Sequence, residues 1–284
     1  MKLARYSVNG TVEVGLVEED RVVRLTGRLP QVGQDMLALI SAWDGLRDAA
    51  EKLRGEKDFS LAEVELLAPI PRPGKIWGIG LNYADHAEES GLPIPEHQMW
   101  FVKASTAVAG PYQPIERPAV SQALDYEAEL VAVIGRGGRH LSGARAAEAI
   151  FGYCVGNDVS VRDWQVRSGQ YSIGKSFDTH APFGPWIVTA DEVDASALPI
   201  RSLVNGEVRQ QSNTRHLIFD PVAQVEHLSQ AMTLETGDIL FTGTPGGVGA
   251  AMSPPKFLSP GDRVRVEIDG IGFIENEVMD EPGR

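Results

Sequence analysis

The sequence of 284 residues contains a single cysteine, Cys154, which excludes an internal disulfide and any zinc site built from several cysteines. Its 26 lysine and arginine residues face 39 aspartate and glutamate residues, and the formal net charge of −13 argues against nucleic acid or an anionic membrane surface as a partner. No apolar run is long enough for a membrane-spanning helix, and the N-terminus lacks the apolar segment of a signal peptide. These absences predict a reducing, cytoplasmic location.

Low-complexity tracts and internal repeats are also absent, and the chain is long enough to bury a large core. Residues 2–25 alternate apolar and polar positions, as strands do, and residues 36–53 place apolar side chains at helical spacing, which predicts one amphipathic helix. Three prolines within residues 69–73 form a stiff connector. We therefore predict a small α+β domain over residues 1–70 and a second domain over residues 71–284.

An acidic segment, residues 124–133, provides the first candidate site. Successive strand side chains point to opposite faces, so Glu127 and Glu129 should project to the same side, about 7 Å apart. The apolar, β-branched run that follows predicts a buried strand, in which two like charges repel unless a cation lies between them. The alternative is an edge strand with a hydrated acidic face. This pair alone does not distinguish the two.

Asp158 is the third candidate ligand. It ends a predicted strand in which Gly152, Cys154 and Gly156 share its face, and these small residues leave room beside the carboxylate. An aspartate at a strand end also commonly begins a turn. Three carboxylates form an oxygen-only ligand set, which suits Mg²⁺, Mn²⁺ or Ca²⁺.

A predicted helix over residues 82–91 places His86 and Glu89 three residues apart on one face, within hydrogen-bonding reach. A carboxylate that orients an imidazole makes a general base near neutral pH, although such a pair on a short helix is more often an ordinary surface contact. Lys103, in a predicted loop, and Lys175 could supply positive charge to an anionic substrate. In isolation, each is more often a solvated lysine.

A glycine-rich segment, residues 242–249, follows a predicted buried strand; we call it the glycine loop. Its backbone N–H groups and the Thr244 hydroxyl could approach a carboxylate or phosphate. It is not a P-loop, because no Gly-Lys-Ser/Thr closes it, and the chain has no glycine motif typical of dinucleotide binding.

Five motifs follow one another along the chain: Asn82-Tyr83-x-x-His86-x-x-Glu89, Asp125-Tyr126-Glu127-x-Glu129, Asn157-Asp158-Val159-Ser160-x-Arg162-Asp163, Gly174-Lys175-Ser176-Phe177-Asp178-Thr179 and Gly243-Thr244-Pro245-x-Gly247-Val248-Gly249. Together they resemble the fumarylacetoacetate hydrolase (FAH) family in its short bacterial form. The resemblance implies a mixed, mainly β fold, a β-roll or barrel-like sandwich with short helices, usually assembled as a homodimer. Residues 1–70 look like the smaller, variable N-terminal part of such proteins.

The resemblance also implies roles for individual residues. One Mg²⁺ or Mn²⁺ per subunit, with Ca²⁺ also possible, would be bound by Glu127, Glu129 and Asp158. The dyad that activates water would be His86 and Glu89, on a lid over the substrate. Groups around a developing enolate or oxyanion correspond to Lys175 and Gln165. The substrate would contact Thr244, Gly243, Arg162, Tyr83 and Lys103, although Arg162 could instead hold Asp158 or another acid in place.

With this set of residues, the resemblance implies hydrolysis of a C–C bond in an acylpyruvate or related 2,4-dioxo acid, with the ion as Lewis acid and Lys175 as added positive charge. An isomerase, decarboxylase or lyase acting on 2-oxo or 2-hydroxydienoic acids would use the same ion. Only hydrolysis needs the water-activating dyad, so hydrolysis is favoured. A non-enzymatic metal- or ligand-binding protein is the remote alternative. Residues 91–99, Tyr171 and His180 are candidates for selecting the substrate.

Overall fold

The computed structural model describes residues 1–30, 32–89 and 91–283. The strands are β1 (Lys2–Val8), β2 (Thr11–Glu18), β3 (Arg21–Arg24), β4 (Phe59–Ser60), β5 (Glu65–Leu67), β6 (Ile76–Gly80), β7 (Met99–Lys103), β8 (Val108–Ala109), β9 (Ile115–Arg117), β10 (Leu124–Asp125), β11 (Ala128–Ile134), β12 (Ile150–Asn157), β13 (Ser160–Val161), β14 (Ala181–Thr189), β15 (Pro199–Val204), β16 (Glu207–Asn213), β17 (Ile239–Phe241), β18 (Arg263–Ile268) and β19 (Gly272–Asp280). The α-helices are α1 (Met36–Ser41), α2 (Trp43–Glu51), α3 (Ala84–Glu89), α4 (Ala144–Ala149), α5 (Arg162–Gln165) and α6 (Pro221–Ala231).

Two open sheets form the body of the molecule. The larger has the strand order β4-β3-β2-β1-β14-β12-β11-β17-β6-β7, and the smaller has the order β16-β15-β18-β19-β9. Apolar side chains from both sheets, such as Leu130 and Val155 of the larger and Ile200 and Val266 of the smaller, meet in one buried cluster. The fold is therefore a mainly β sandwich with short helices, as expected. None of the described helices is both long and apolar enough to cross a membrane.

The N-terminal strands continue the large sheet. β1 pairs antiparallel with β14, with Leu3 opposite Ile187, and both side chains belong to one core cluster. The predicted single helix over residues 36–53 is wrong, because the chain bends at Ala42 (φ −99°, ψ 3°) between α1 and α2. Each short helix buries its own apolar face, so the bend lets both pack on the core.

The acidic segment also differs from the predicted continuous strand. β10 pairs with β13, whereas β11 lies between β12 and β17, so Tyr126 and Glu127 fall in a break between two strands. Every residue of β11 is buried, and the alternative of a hydrated edge strand is therefore wrong. Antiparallel pairing places Ala128 opposite Asn157, so the start of β11 lies beside the end of β12, immediately before Asp158.

His180, directly before β14, is fully buried, and its Nε2 donates to the Glu116 carbonyl oxygen over 2.8 Å. Burial lowers its pKa from 6.5 to about 3.

The stability of the protein should therefore depend on pH through His180. Below pH 6.5 this side chain binds a proton in the unfolded chain but stays neutral in the folded chain. The free energy of unfolding should fall by about 2 kcal/mol as the pH drops to about 5. Urea unfolding across this pH range measures the effect. The free energy of unfolding should depend less steeply on pH in His180→Gln, because glutamine keeps a hydrogen-bond donor but has no titratable group. An unchanged pH dependence in this variant would show that His180 is not the group responsible.

Candidate active site

Three carboxylates from two segments of the chain, which we call the acid cluster, converge at the junction of β11 and β12. The Asp158 amide donates to the Glu127 carbonyl oxygen (2.9 Å), and the Glu127 amide donates to Asn157 Oδ1 (2.9 Å), so both backbones are fixed. Glu127, Glu129 and Asp158 are all buried, and each contributes an oxygen within 4.8 Å of the other two. The structure thus brings together the three residues that the sequence analysis grouped.

Two lysines lie against these carboxylates. Lys175 Nζ is 2.7 Å from Glu127 Oε2 and 2.6 Å from Asp158 Oδ2. Lys103 is not the solvated loop lysine of the sequence analysis, because it ends β7, is fully buried, and donates to Asp158 Oδ1 and to the Val159 carbonyl oxygen. Its ammonium group is committed to the acid cluster, so the structure does not support its predicted contact with substrate.

Charge is distributed unevenly among the three acids. Burial opposes ionisation of Glu127, but Lys175 and Arg162 lower its pKa to about 2. Burial raises the pKa of Glu129 well above its usual value, and the nearby Asp158 and Glu127 raise it further. Glu129 is therefore the acid of the cluster that lacks a cationic partner among the described residues.

This donor set fits a hard divalent cation. The three side chains offer only carboxylate oxygens, the ligand type that Mg²⁺ and Mn²⁺ prefer, and added positive charge would relieve the repulsion around Glu129. Gly243, predicted to touch substrate, instead donates its N–H to Glu129 Oε2 over 2.7 Å. Its φ of 107° favours glycine, and a Cβ there would lie 2.6 Å from Asn82 Cβ.

Asp125 links Arg162 to the glycine loop. Its Oδ1 accepts from the amides of Gly249 (2.8 Å) and Tyr126 (2.9 Å), and its Oδ2 accepts from the Ala250 amide (2.9 Å) and from Arg162 Nε (2.8 Å). Arg162 Nη1 in turn donates to Glu127 Oε1 (2.6 Å). Arg162 therefore holds an acid in place, as one of the two predicted roles requires, although the acids are Asp125 and Glu127 and not Asp158.

Replacing Asp125 with asparagine should lower activity by about tenfold to hundredfold and stability by about 1–3 kcal/mol. All four groups around this carboxylate are donors, so the amide nitrogen of asparagine must face one of them. Steady-state kinetics and urea unfolding measure both effects. Asp163→Asn is the control, because it loses an exposed ion pair with Arg167 and keeps an oxygen that accepts from Ser121. Equal effects in both variants would contradict the role of Asp125.

Helix α3 carries His86 and Glu89 over the glycine loop. His86 Nδ1 and Glu89 Oε2 are 3.5 Å apart, which is too long for a good hydrogen bond. Both carboxylate oxygens of Glu89 accept from the Gly247 amide, at 2.9 and 3.0 Å, and Asp85 accepts from Ser212 Oγ over 2.5 Å. Asp85 and Glu89 therefore fasten the helix to the body of the molecule, and the predicted hydrogen bond between His86 and Glu89 is not formed in this arrangement.

The acid cluster and α3 border one pocket, which encloses about 590 Å³ including space open to solvent. Its lining residues are Ile79, Gly80, Leu81, His86, Leu92, Met99, Phe101, Glu127, Arg162, Gln165, Tyr171, Lys175 and Thr244. Tyr83 is absent from this lining, since its side chain lies in the core. The Thr244 hydroxyl donates to the Ala128 carbonyl oxygen (3.0 Å) and accepts from Gln210 Nε2 (2.8 Å).

Three contributions were not predicted from the sequence, namely those of Asp125, of Gln210 and of Lys103 as a cation bound to Asp158. The fully buried Gln210 side chain binds the Ala128 amide and the glycine loop, and nothing in its local sequence distinguishes it from an ordinary strand residue. A signal for Asp125 was available, because it lies two residues before Glu127 in the same motif.

The matching family models are "Fumarylacetoacetate (FAA) hydrolase C-terminal", over residues 75–279, and "Rv2993c-like, N-terminal", over residues 1–69. The mitochondrial oxaloacetate tautomerase FAHD2A of Bos taurus is 45% identical over 221 residues, which cover 77% of this chain and 70% of that protein. Maleylpyruvate hydrolase of Sphingobium sp. SYK-6, solved with manganese(II) and pyruvate, is 35% identical with a TM-score of 0.83 and 99% coverage of both chains.

A further solved structure, 2-hydroxyhepta-2,4-diene-1,7-dioate isomerase from Mycobacterium marinum, is 34% identical, with a TM-score of 0.80 and full coverage of both chains. Hydrolase, tautomerase and isomerase names thus occur among proteins that share this fold and much of this sequence. The first family model spans most of the chain, including the acid cluster, α3 and the glycine loop. The chain belongs to the fumarylacetoacetate hydrolase family.

Proposed function

We propose that this protein is a divalent-metal-dependent hydrolase that cleaves a C–C bond of an acylpyruvate or related 2,4-dioxo acid. The observation that carries the proposal is the shared pocket, in which His86 faces the same space as Glu127, Lys175 and Arg162. A cytoplasmic location, a homodimer and the boundary between residues 70 and 71 stay predictions.

Glu127, Glu129 and Asp158 would hold Mg²⁺ or Mn²⁺, with Ca²⁺ also possible. When bound, the ion supplies Lewis acidity next to the keto and carboxylate oxygens of a 2-oxo acid. Lys175 uses two of its three N–H groups on Glu127 and Asp158, so the third is available for a substrate oxygen that becomes negative. The Arg162 guanidinium keeps Glu127 ionised and in place, and Gln165, which accepts from Arg162 Nη1 over 3.0 Å, borders the same space.

His86 would take the proton from a water molecule whose oxygen attacks the distal carbonyl carbon. The bond between that carbon and the adjacent methylene carbon then breaks, and its electron pair stays on the pyruvate part, which is protonated to give pyruvate. The other product is the carboxylic acid of the acyl group. His86 Nδ1 is buried and has no hydrogen-bond partner among the described residues, so no donor occupies this nitrogen.

Tautomerisation or isomerisation of a 2-oxo acid is the second candidate. It is favoured by the position of Glu89, whose oxygens bind the Gly247 amide and are too far from His86 for a hydrogen bond. Proton transfer between carbon and oxygen needs the cation and Lys175 but no activated water. The tautomerase and isomerase names among the relatives support the same reading.

The ultraviolet absorbance of enolised acylpyruvates distinguishes these candidates. With Mg²⁺ or Mn²⁺, we expect the absorbance to decline while pyruvate and the matching acid accumulate, and EDTA should stop the reaction. Intact substrate, together with metal-dependent tautomerisation of oxaloacetate or isomerisation of a hydroxydienoate, would instead establish the second candidate. Equal rates with and without EDTA would overturn the metal dependence of both.

A further inference from the structure

Apart from Gly80 and from His86 of α3, the pocket is lined by two chemically different surfaces. One is the polar end formed by Glu127, Arg162, Gln165, Lys175 and Thr244. The other, which we call the apolar wall, consists of Ile79, Leu81, Leu92, Met99, Phe101 and Tyr171. Because the polar end would hold the 2-oxo acid part of a substrate, the apolar wall is left to contact the distal group.

The polar end can neutralise one substrate carboxylate. Four acids, Asp125, Glu127, Glu129 and Asp158, and three cations, Lys103, Lys175 and Arg162, lie at or directly behind the polar end. Their formal charge is −1 when all are ionised. A divalent ion would change this charge to +1, and a single carboxylate would bring it to zero. Arg162 Nη2 is buried and has no hydrogen-bond partner among the described residues, so its N–H groups are not committed to another acceptor there.

The apolar wall is a packed surface. The rings of Phe101 and Tyr171 meet edge to face with centroids 6.4 Å apart. Lys175 Nζ lies 4.8 Å from the Phe101 ring centroid, which marks the boundary with the polar end. Gly80 leaves space beside Met99 and Tyr171, since a Cβ there would lie 3.4 Å from Met99 Cε.

The six residues of the apolar wall, all of which the structure describes, include no lysine or arginine. A second carboxylate placed against this wall would lose water and gain no lysine or arginine, and the Tyr171 hydroxyl is the one side-chain donor of the wall. Burial of a charge with so few partners is strongly unfavourable. An alkyl or aryl group in the same place would gain from being removed from water.

We propose that the substrate carries a single carboxylate, at its 2-oxo end, and that its distal group is uncharged and apolar. This inference rests on the proposed function for the orientation of the substrate. It separates this protein's substrate from dicarboxylic acids with a second carboxylate at the far end of the chain.

Two 2,4-dioxo acids of equal chain length, one ending in methyl and one in carboxylate, test the inference. With Mn²⁺ present, kcat/KM should be at least about 100-fold higher for the acid that ends in methyl. Met99→Lys places a cation in the apolar wall and should shift this ratio at least about tenfold toward the carboxylate-ended acid. Met99→Leu, which keeps the apolar character, should retain the wild-type ratio.

Equal or reversed preference in the wild-type protein would overturn the inference, as would an unchanged ratio in Met99→Lys. If neither acid is cleaved, hydrolysis itself fails, and binding then decides the inference. Calorimetry with two 2-oxo acids of matched length, one ending in methyl and one in carboxylate, should then show tighter binding of the acid that ends in methyl. Tighter binding of the dicarboxylate would overturn the inference independently of the reaction.

Discussion

Replacing Glu129 with glutamine should abolish tight binding of Mn²⁺ and, at the same time, raise the stability of the metal-free protein. Glu129 is buried beside Asp158 and Glu127, and its only described hydrogen-bond donor is the Gly243 amide. A neutral side chain of the same shape removes the repulsion and still accepts that bond. We expect metal affinity to fall by at least about 100-fold and the free energy of unfolding in EDTA to rise by about 1–3 kcal/mol.

Calorimetric titration with Mn²⁺ measures the first effect, and thermal unfolding in EDTA and in Mn²⁺ measures the second. Wild-type protein should melt at a higher temperature with the ion than without it, because a ligand that binds only the folded state stabilises it. The variant should lose this shift. Glu65→Gln, at an exposed position of β5, is the control and should bind Mn²⁺ like the wild type. A variant with unchanged Mn²⁺ affinity would remove Glu129 from the ligand set.

Replacing His86 with alanine should lower the rate of C–C hydrolysis by about 10²- to 10⁴-fold, the usual contribution of a general base. His86 does not belong to the acid cluster, so affinity for Mn²⁺ should stay close to that of the wild type. Product analysis after incubation with an acylpyruvate measures the first effect, and Mn²⁺ titration measures the second.

Glu88→Gln is the matched control for His86→Ala, since Glu88 is exposed on the same helix. The rate at which the His86 variant tautomerises oxaloacetate gives a second test, because tautomerisation requires no attacking water. If the variant loses hydrolysis but tautomerises oxaloacetate at the wild-type rate, His86 is assigned to water activation. Hydrolysis at the wild-type rate would remove His86 from the mechanism.

Local patterns predicted the grouping of the acids correctly but not the backbone that produces it. Strand alternation placed Glu127 and Glu129 on one side, yet Glu127 lies in the break between β10 and β11. The two carboxylates converge because the Glu127 backbone is hydrogen-bonded to Asn157 and Asp158. The alternation of side chains along a strand indicates only which face of that strand a residue occupies. It could not predict hydrogen bonds to a different segment of the chain.

The cations were harder to predict than the acids. The local sequence around Lys103 predicts a solvated lysine, because its partner Asp158 lies 55 residues further along the chain. The same limit applies to Asp125, whose four donors come from three separate segments. For His86 and Glu89, helical spacing predicted a mutual hydrogen bond. It could not anticipate that the Gly247 amide, from a distant loop, would take the carboxylate instead.

β1 pairs with β14, and β14 pairs with β12, the strand that ends immediately before Asp158. Only β14 therefore separates the first strand of the chain from the strand that leads into the acid cluster. Leu3 and Val14 share a core with Val131 of β11 and Phe183 of β14. Removing an N-terminal segment attached in this way would expose the edge of β14 and part of the shared core. During evolution it could diverge on its exposed faces, but exchange for an unrelated segment would have to preserve both the strand edge and the shape of the shared core.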